Sequence, residues 1–184
     1  MTLTPNKLLT ADELLAMGDI GRCELLYGQL VMMSPAGAEH GVVALRFGRY
    51  LSDFVEQHDL GVVFAAETGF KIEANPDLVR APDASFVRKS RLTSPLPRGY
   101  FPGVPDLAVE VNSPDDSKRA VAEKINMWLA HGTTLVWEVD PPTMIVHVHC
   151  VGEKPRRLTQ SESLTAEPLL PGFNLPLLRI FRNL

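Results

Sequence analysis

The sequence contains little of what marks several broad classes of protein. Only 2 of its 184 residues are cysteine, Cys23 and Cys150, and they show neither a CxxC spacing nor the density of a disulfide scaffold. We therefore expect both to be buried thiols in a reducing compartment. No run of about eighteen apolar residues exists to span a bilayer, and "MTLTPNKLL" lacks the basic and apolar regions of a secretion signal. These absences predict a cytoplasmic protein that does not contact a membrane.

An excess of basic charge is also absent. The chain carries 18 Lys and Arg against 22 Asp and Glu, a formal net charge of -4 at pH 7. Nonspecific coating of nucleic acid depends on Lys and Arg neutralising phosphates, so this balance argues against such a protein. It does not argue against an enzyme that acts on nucleic acid, because carboxylates that hold a divalent metal themselves add negative charge.

The hydrophobic content is high enough for a folded protein. Hydrophobic residues make up 45% of the 184 positions, which is typical of a globular chain rather than a disordered one. We find no internal repeat, no low-complexity segment and no linker long enough to divide the chain. The sequence therefore predicts one domain, spanning residues 1–184, with a substantial core.

The first third of the chain predicts helix, hairpin and helix. Thr10 precedes "ADELLAM" with Glu13 three positions on, a capping box that starts a short helix ending near Gly18. "CELLYGQLVMMSP" has two apolar runs around Gly28, which is typical of a hairpin. "AEHGVVALRFGRYLSDFVEQHDLG" then has apolar residues near helical spacing and predicts a long helix that Gly61 ends.

The remainder predicts strands around a second long helix. Strands are expected at 62–72, 83–87, 106–112, 133–140 and 144–150. "SKRAVAEKINMWLAHG" predicts a helix with Ser117 as its N-cap. Helices alternating with such strands indicate an α/β or α+β fold, in which a mixed sheet is covered by two long helices.

A segment rich in proline, glycine and basic residues separates two of these strands. "RKSRLTSPLPRGYFPGVP", residues 88–105, predicts a mobile loop of the kind that often borders a site. Its basic side chains could follow a phosphate backbone or could simply be solvated, and solvation is the default expectation. These side chains are Arg88, Lys89, Arg91 and Arg98.

An acidic residue interrupts the strand "DLAVEVNSP", residues 106–114. Leu107, Val109 and Val111 alternate onto one face, so Glu110 belongs to the other. An aliphatic strand of this kind usually lies in a sheet covered on both sides, where a carboxylate is costly. Two interpretations remain open from the residues alone: Glu110 forms a buried ion pair with a core lysine, or it binds a metal.

A second acid comes from an earlier strand. Asp83 opens the strand that follows Pro82. If this strand lies beside that of Glu110, the two carboxylates can meet, and they repel each other unless a hard cation such as Mg²⁺ or Mn²⁺ lies between them. Alternatively, Asp83 ends a turn by accepting hydrogen bonds from backbone amides.

The second long helix contains a lysine on or beside its apolar stripe. Val121, Ile125 and Trp128 mark the stripe, and Lys124 lies three positions after the first and four before the last. Its ammonium group could extend outward to solvent or point at the acidic pair. In phosphodiester cleavage, the second arrangement would stabilise developing charge or orient a water molecule.

Three segments taken together resemble a known family. "RAPDASFV", "VPDLAVEVNSPDDS" and "AEKINMWLAHGTTLVWEVDPP" are similar to the Uma2 family of restriction-endonuclease-like proteins, within the PD-(D/E)XK nuclease superfamily. The resemblance extends to "CELLYGQLVMMSP", to His40 and to "LLPGFNLPLLRIF", so it covers most of the chain. It implies a restriction-endonuclease-like core, a mixed sheet flanked by two long helices, with an N-terminal hairpin.

The resemblance also implies roles for particular residues. Asp83 and Glu110 match the two acids that bind the metal, which would be Mg²⁺ or Mn²⁺. The superfamily usually has a lysine two places after the second acid, but this sequence has Asn112 there, which would lie close to the substrate. Lys124, on the following helix, matches the lysine of Uma2-like sequences.

Two further positions follow from the same resemblance. Glu24 matches an early acid that would bind metal or orient water, and His40 matches a histidine near the substrate. From the residues alone, Glu24 could instead be a surface residue paired with Arg22 or Lys7, and His40 could cap a helix or pack.

A pair of histidines suggests a separate metal site less strongly. His147 and His149 alternate on one face of "IVHVHC" and could indicate zinc. No other Cys or His at ligand spacing supports that, since Cys150 should point to the opposite face, so a polar face on an edge strand is the preferred interpretation.

The leading hypothesis is a Mg²⁺-dependent endonuclease that cleaves DNA. The second is a catalytically silent nuclease-fold protein that binds nucleic acid or a protein partner, and the third is a hydrolase of another phosphate ester. An exposed edge at residues 144–150 could also pair across a two-fold axis and form a homodimer.

Overall fold

The computed structural model describes residues 8–114 and 116–184. Its helices are α1 (Ala11–Ala16), α2 (Ala38–Gln57), α3 (Lys118–Ala130) and α4 (Leu178–Phe181). Its strands are β1 (Cys23–Leu26), β2 (Gln29–Met32), β3 (Gly61–Ala65), β4 (Phe70–Glu73), β5 (Leu78–Arg80), β6 (Ala84–Arg88), β7 (Phe101–Pro102), β8 (Leu107–Val111), β9 (Leu135–Asp140), β10 (Ile145–Cys150), β11 (Arg156–Thr159), β12 (Ser163–Ala166) and β13 (Leu170–Pro176).

Helix starts follow the capping residues of the sequence. The Thr10 hydroxyl accepts a hydrogen bond from the Glu13 amide, and the Glu13 carboxylate accepts one from the Thr10 amide, as the capping box predicts. The Ser117 hydroxyl accepts a bond from the amide of Ala120 at 3.1 Å and begins α3. Both caps satisfy amides that have no partner within the first turn of a helix.

The main sheet has the strand order β11-β10-β9-β8-β6-β3. It is mixed, because β8 pairs antiparallel with β6 and parallel with β9. The parallel pair is joined through α3, the usual crossover for parallel strands. The expected mixed α/β architecture is confirmed, with α2 on one face of the sheet and α3 on the other.

The alternation along β8 explains how both faces are covered. Val109 and Val111 belong to the core cluster that also contains Phe47 and Leu51 of α2. Ala108 belongs to the cluster that contains Trp128 of α3. Burying each large apolar side chain contributes about 1.5–3 kcal/mol, so both helices are held to the sheet by packing.

The predicted N-terminal hairpin belongs to a second sheet. β1 and β2 pair antiparallel around the turn at Tyr27 and Gly28, and this sheet has the order β2-β1-β5-β4-β7. β5 lies in the second sheet and β6 in the main one, so the short segment between them crosses from sheet to sheet. Asp83 lies in that crossing segment, immediately before β6.

The C-terminal part of the chain completes the core on the α2 side. β12 and β13 form an antiparallel pair, and Leu164, Phe173 and Leu175 from this pair are buried in the same cluster as Trp137. The Phe173 and Trp137 rings stack with centroids 5.7 Å apart. This packing explains the apolar residues of "LLPGFNLPLLRIF" without any role in a site.

The prediction of a single strand at 62–72 is wrong. The structure has β3 and β4 there, in different sheets, separated by a turn. Glu67 in this turn has a φ of 70° and the Thr68 amide donates to the Ala65 carbonyl at 3.4 Å, which reverses the chain. Apolar residues on both sides of the turn hide this break from a reading of hydrophobic pattern.

The basic segment at 88–105 does not border the candidate site. Lys89–Arg91 form a 3-10 turn, and Phe101–Pro102 pair with β4. Arg88 and Arg91 form ion pairs with Asp106, at 2.7 and 3.0 Å, and Asp106 precedes β8 at the end opposite Asn112. These arginines therefore neutralise a buried carboxylate.

The prediction that residues 144–150 form an exposed edge strand is also wrong. β10 lies inside the main sheet, because β9 pairs with one side and β11 with the other. Its amides and carbonyls are thus engaged within the sheet, so this strand has no open edge that could pair with a second copy. In the described part of the chain, the edges of the main sheet are β3 and β11.

Neither cysteine is fully buried. Cys23 and Cys150 are half-buried free thiols, each at one end of a strand, and burial raises the pKa of both. Among residues 8–114 and 116–184, no helix combines the length and the apolar character that crossing a membrane requires.

Candidate active site

A cleft of about 170 Å³ opens where the two sheets and α3 meet. Every residue predicted from the sequence to belong to a site lines this one cleft. They are Glu24, His40, Asp83, Glu110, Asn112 and Lys124. The predicted convergence of residues from distant parts of the chain is therefore present, while their chemical roles remain predictions.

Backbone pairing brings the two metal-binding candidates together. The Asp83 amide donates to the Val109 carbonyl at 3.0 Å, next to the ladder between β6 and β8. The Asp83 Oδ2 atom in turn accepts from the Val111 amide at 2.8 Å. Asp83 and Glu110 therefore lie on adjacent segments at the same end of the sheet.

Cationic and neutral donors surround the Asp83 carboxylate. Arg22 Nη2 lies 3.3 Å from Oδ1, and His40 Nε2 donates to Oδ2 at 3.2 Å. Burial raises the pKa of Asp83, but hydrogen bonds from His40 and Val111 and the charge of Lys124 outweigh it, so the pKa is lowered. Asp83 is thus the ionised acid of the pair at neutral pH.

Glu110 has the opposite electrostatic character. Trp128 Nε1 donates to Oε1 at 2.6 Å and Lys124 Nζ lies 2.7 Å from Oε2. Burial is the largest influence on the pKa of Glu110 and raises it, as do the negative charges of Asp83 and Glu24. Lys124 lowers this pKa by less, so the result is a pKa of about 7. The two acids have different protonation behaviour although they line the same cleft.

Lys124 points its ammonium group into the acidic cluster. Its Nζ atom lies 2.7 Å from Glu110 Oε2 and 3.8 Å from Glu24 Oε1. Burial lowers the pKa of Lys124, but the charges of Glu110, Glu24 and Asp83 outweigh burial and raise it. Three acids therefore outweigh burial at the Lys124 ammonium, which shows that the potential at this point of the cleft is negative and favours a cation.

Glu24 is buried and does not lie on the surface. Its Oε2 accepts from Arg80 Nε at 3.0 Å and its Oε1 from the Ala81 amide at 3.1 Å. The alternative of a surface pair with Arg22 is wrong, because Arg22 contacts Asp83; Lys7 lies outside the described residues. Glu24 therefore holds the segment that leads into Asp83.

Asn112 lies two residues after Glu110, on the same face beyond the end of β8. Its Nδ2 donates to Glu138 Oε1 at 3.2 Å. His149 Nε2 donates to the other carboxylate oxygen at 2.9 Å, and this bond lowers the pKa of Glu138. The histidines suggested as a polar face thus contact Glu138, with His147 Nδ1 at 3.6 Å from Oε2.

The donor set fits a hard cation in its chemistry. Asp83 and Glu110 supply carboxylate oxygens, which Mg²⁺ and Mn²⁺ prefer, and the negative potential in the cleft favours a cation. Across the residues that the structure describes, no three His, Cys, Asp or Glu side chains are grouped around one metal position, at this cleft or at His147 and His149. The Lys124 ammonium lies between Glu110 and Glu24, which keeps these carboxylates from forming such a group.

Reasoning from the sequence missed three residues that contact the acids. Arg22 and Arg80 form ion pairs with Asp83 and Glu24. Trp128 was expected only as core, yet its ring nitrogen donates to Glu110. Arg80 could have been noticed as a basic residue at the end of an otherwise buried strand. The periodicity of the sequence does not show which acid it pairs with.

Fold and site together define a protein of the restriction-endonuclease-like, nuclease-fold class. The comparison with known families agrees with this class. A family model, Uma2, described as "Putative restriction endonuclease", matches residues 11–178. The chain therefore belongs to the Uma2 family, as the resemblance of its segments implied.

A solved structure shares the fold over almost the whole chain. It is that of an Anabaena variabilis protein described as "a putative nuclease belonging to DUF820". The two are 21% identical with a TM-score of 0.78, and the match covers 94% of this chain and 97% of the other. No curated protein matches this chain. At this identity the likeness establishes the fold alone.

Proposed function

We propose that this protein is a Mg²⁺- or Mn²⁺-dependent endonuclease that hydrolyses DNA phosphodiester bonds. The observation that carries the proposal is the meeting of Asp83, Glu110 and Lys124 in one cleft, from a sheet crossing, a central strand and a helix. Membership of a family described as "Putative restriction endonuclease" supports the same reaction class.

In this proposal Asp83 and Glu110 hold the cation. When bound, the cation would polarise the phosphate and lower the pKa of a water molecule, so that hydroxide can form at neutral pH. Asp83 supplies a permanent negative charge because its pKa is low, and Glu110 supplies a second charge once its proton leaves. Binding of the cation and loss of the Glu110 proton are therefore coupled.

Lys124 provides the positive charge that phosphodiester cleavage requires. Three neighbouring acids outweigh the effect of burial on the pKa of Lys124 and keep its ammonium charged. Lys124 Nζ, which lies 2.7 Å from Glu110 Oε2, would stabilise the negative charge that develops on phosphate oxygens. Glu24 retains the ammonium at the cleft through the longer contact of 3.8 Å.

His40 and Arg22 position Asp83. His40 Nε2 and Arg22 Nη2 donate to different oxygens of the carboxylate, which fixes its orientation. Arg22 also lines the cleft with part of its guanidinium exposed, so it is available to a substrate phosphate.

One observation favours the second candidate, a silent nuclease-fold protein that binds nucleic acid or a protein partner. Three bases, Arg22, Arg80 and Lys124, already pair with the three acids Asp83, Glu24 and Glu110. A cluster that is neutralised in this way can be structural. The two candidates differ in whether a cation can replace the Lys124 ammonium as the partner of Glu110.

Cleavage of supercoiled plasmid in Mg²⁺ or Mn²⁺ tests the proposal. We expect wild type to nick the plasmid, and Asp83→Asn and Lys124→Ala each to lose about 100-fold or more in rate, as removal of one electrostatic group typically costs. Glu123→Gln is the control, since Glu123 is exposed on the same helix and pairs with Arg119. Folded protein without cleavage supports the silent candidate, and cleavage that survives Lys124→Ala contradicts the role of that residue.

A further inference from the structure

A second and larger cavity, about 690 Å³, lies beside the candidate active site. We call it the Glu138 pocket. One wall is formed by Glu138 of β9 with His147 and His149 of β10, and the facing wall by Val121 and Asn126 of α3. It therefore occupies the space between the sheet and α3, on the same face as Glu110.

The Glu138 pocket and the cleft share a wall. Asn112, Ser113, Asp116 and Val121 line both cavities. Asn112 also links them chemically, because it lies two residues after Glu110, just beyond β8, and donates to Glu138. A ligand with one group in the cleft can thus extend a second group into the pocket.

The polar wall of the pocket has unused hydrogen-bonding capacity. Glu138 accepts one bond on each oxygen, from Asn112 and from His149, while a carboxylate offers about four acceptor positions. The buried His147 Nδ1 atom has no hydrogen-bond partner in the described part of the chain. An arriving donor could therefore bond to Glu138 without displacing its present partners.

The charge of the lining selects what can enter. Glu138, Asp140 and Asp116 are acidic, and Lys118 is the one Lys or Arg side chain among the described residues that line the pocket. Such a lining repels phosphate, in contrast to the cleft, where Arg22 and Lys124 are present. The uncharged base of a nucleotide fits better, because the lining also includes aliphatic and proline side chains, among them Val121, Ile125 and Pro142.

We propose that the Glu138 pocket binds an unpaired cytosine or adenine through the amino group at cytosine N4 or adenine N6, next to the phosphate in the cleft. This inference rests on the proposed function, since the phosphate is placed by the candidate active site. Carboxylates accept hydrogen bonds from the amino group of cytosine, and amides such as those of Asn112 and Asn126 suit adenine. In thymine the corresponding exocyclic position is a carbonyl oxygen, O4, which accepts hydrogen bonds and cannot donate one to Glu138.

Binding of fluorescent single-stranded oligonucleotides tests the base preference without depending on cleavage. Affinities of oligo-deoxycytidine and oligo-deoxythymidine are measured by anisotropy, with and without Ca²⁺, a hard cation that takes oxygen ligands. We expect wild type to bind the cytidine strand about tenfold more tightly, and Glu138→Gln to reduce this preference to less than about twofold. Glu123→Gln, on the outer side of the same helix, should keep the wild-type preference.

A second variant separates loss of the pocket from loss of folding. Ala122 is exposed and lines the pocket, so Ala122→Trp fills the space with little effect on the core. We expect this variant to retain the wild-type unfolding transition, to bind both strands and to lose the preference. A preference unchanged in Glu138→Gln and Ala122→Trp would overturn the inference, as would equal wild-type affinities.

The inference and the proposed function fail in different ways. Plasmid cleavage that depends on Asp83, combined with no base preference, would overturn the pocket assignment and leave the nuclease proposal standing. If folded wild type binds neither strand, the pocket assignment is overturned. If it also fails to cleave plasmid, both the pocket assignment and the nuclease proposal are overturned.

Discussion

Glu110 illustrates how the surroundings of one residue decide its chemistry. Its carboxyl group is buried in a central strand beside two other acids, and a lysine contact at 2.7 Å compensates only part of the cost. Near neutral pH its population is therefore divided between the protonated and ionised forms. A cation at this carboxyl must compete with a proton.

This competition predicts that Mn²⁺ affinity rises with pH. With a pKa of about 7, ionised Glu110 increases about tenfold between pH 6 and pH 8, so the association constant should rise by a similar factor. Calorimetric titration of wild type at the two pH values measures it.

Two variants define the controls for that titration. Asp83→Ala should abolish the binding heat at both pH values, since it removes the acid that is ionised throughout. Glu110→Gln should bind weakly and without the pH dependence. Heats that are equal in wild type and Asp83→Ala would remove the metal hypothesis.

At the scale of the element, α3 carries the site as well as part of the core. Ile125 and Trp128 bury one side of the helix against the sheet, and Lys124, adjacent on the same helix, reaches the cleft. Trp128 Nε1 bonds to Glu110 Oε1, so the docking of the helix and the orientation of the acid depend on the same contact.

The two buried tryptophans allow this contact to be measured. Trp128→Phe leaves Glu110 Oε1 without its donor and should cost about 1–3 kcal/mol beyond the loss of packing. Trp137→Phe is the matched control, since the buried Trp137 Nε1 has no hydrogen-bond partner within the described residues.

Urea unfolding of the two variants provides the comparison. Both rings are fully buried, so the packing losses should be similar and the difference between them reports the hydrogen bond. We expect Trp128→Phe to be the less stable. Equal stabilities would show that the Trp128 bond to Glu110 adds nothing to the docking of α3.

At the scale of the whole molecule, the raised pKa of Glu110 makes stability depend on pH. The folded pKa, about 7, lies above the ordinary value of 4.5, so the folded state holds a proton that the unfolded state releases. The contribution of Glu110 is fully present below pH 4.5 and is lost as the pH rises through 7. Asp83 has the opposite sign, and its contribution is lost only as the pH falls through its lowered pKa.

We therefore expect Glu110→Gln to gain stability relative to wild type as the pH rises. The difference in unfolding free energy should shift toward the variant between pH 5 and pH 8, by up to a few kcal/mol. Chemical denaturation at the two pH values measures the shift. A difference that does not change with pH would show that Glu110 is ionised throughout, as the structural ion pair with Lys124 requires.

Much of the fold could be predicted because its signals are local. Capping residues marked the starts of α1 and α3, and alternation marked β8. The break between β3 and β4 was missed, although Glu67, Thr68 and Gly69 lie in the turn, because apolar residues such as Phe64 and Phe70 flank it closely on both sides. The added strand β11 likewise gave no pattern that would identify it as the neighbour of β10.

The sequence by itself determined which residues are available for chemistry: an acid placed in an aliphatic strand, an acid after a proline and a lysine beside an apolar stripe. Those signals are local, because they depend on the short periods of strands and helices. Only the tertiary structure decided that the two sheets meet at Asp83, that Arg22 and Arg80 pair with the acids, and that a larger pocket adjoins the cleft. Such contacts join residues far apart in the chain, and packing of the complete core selects them.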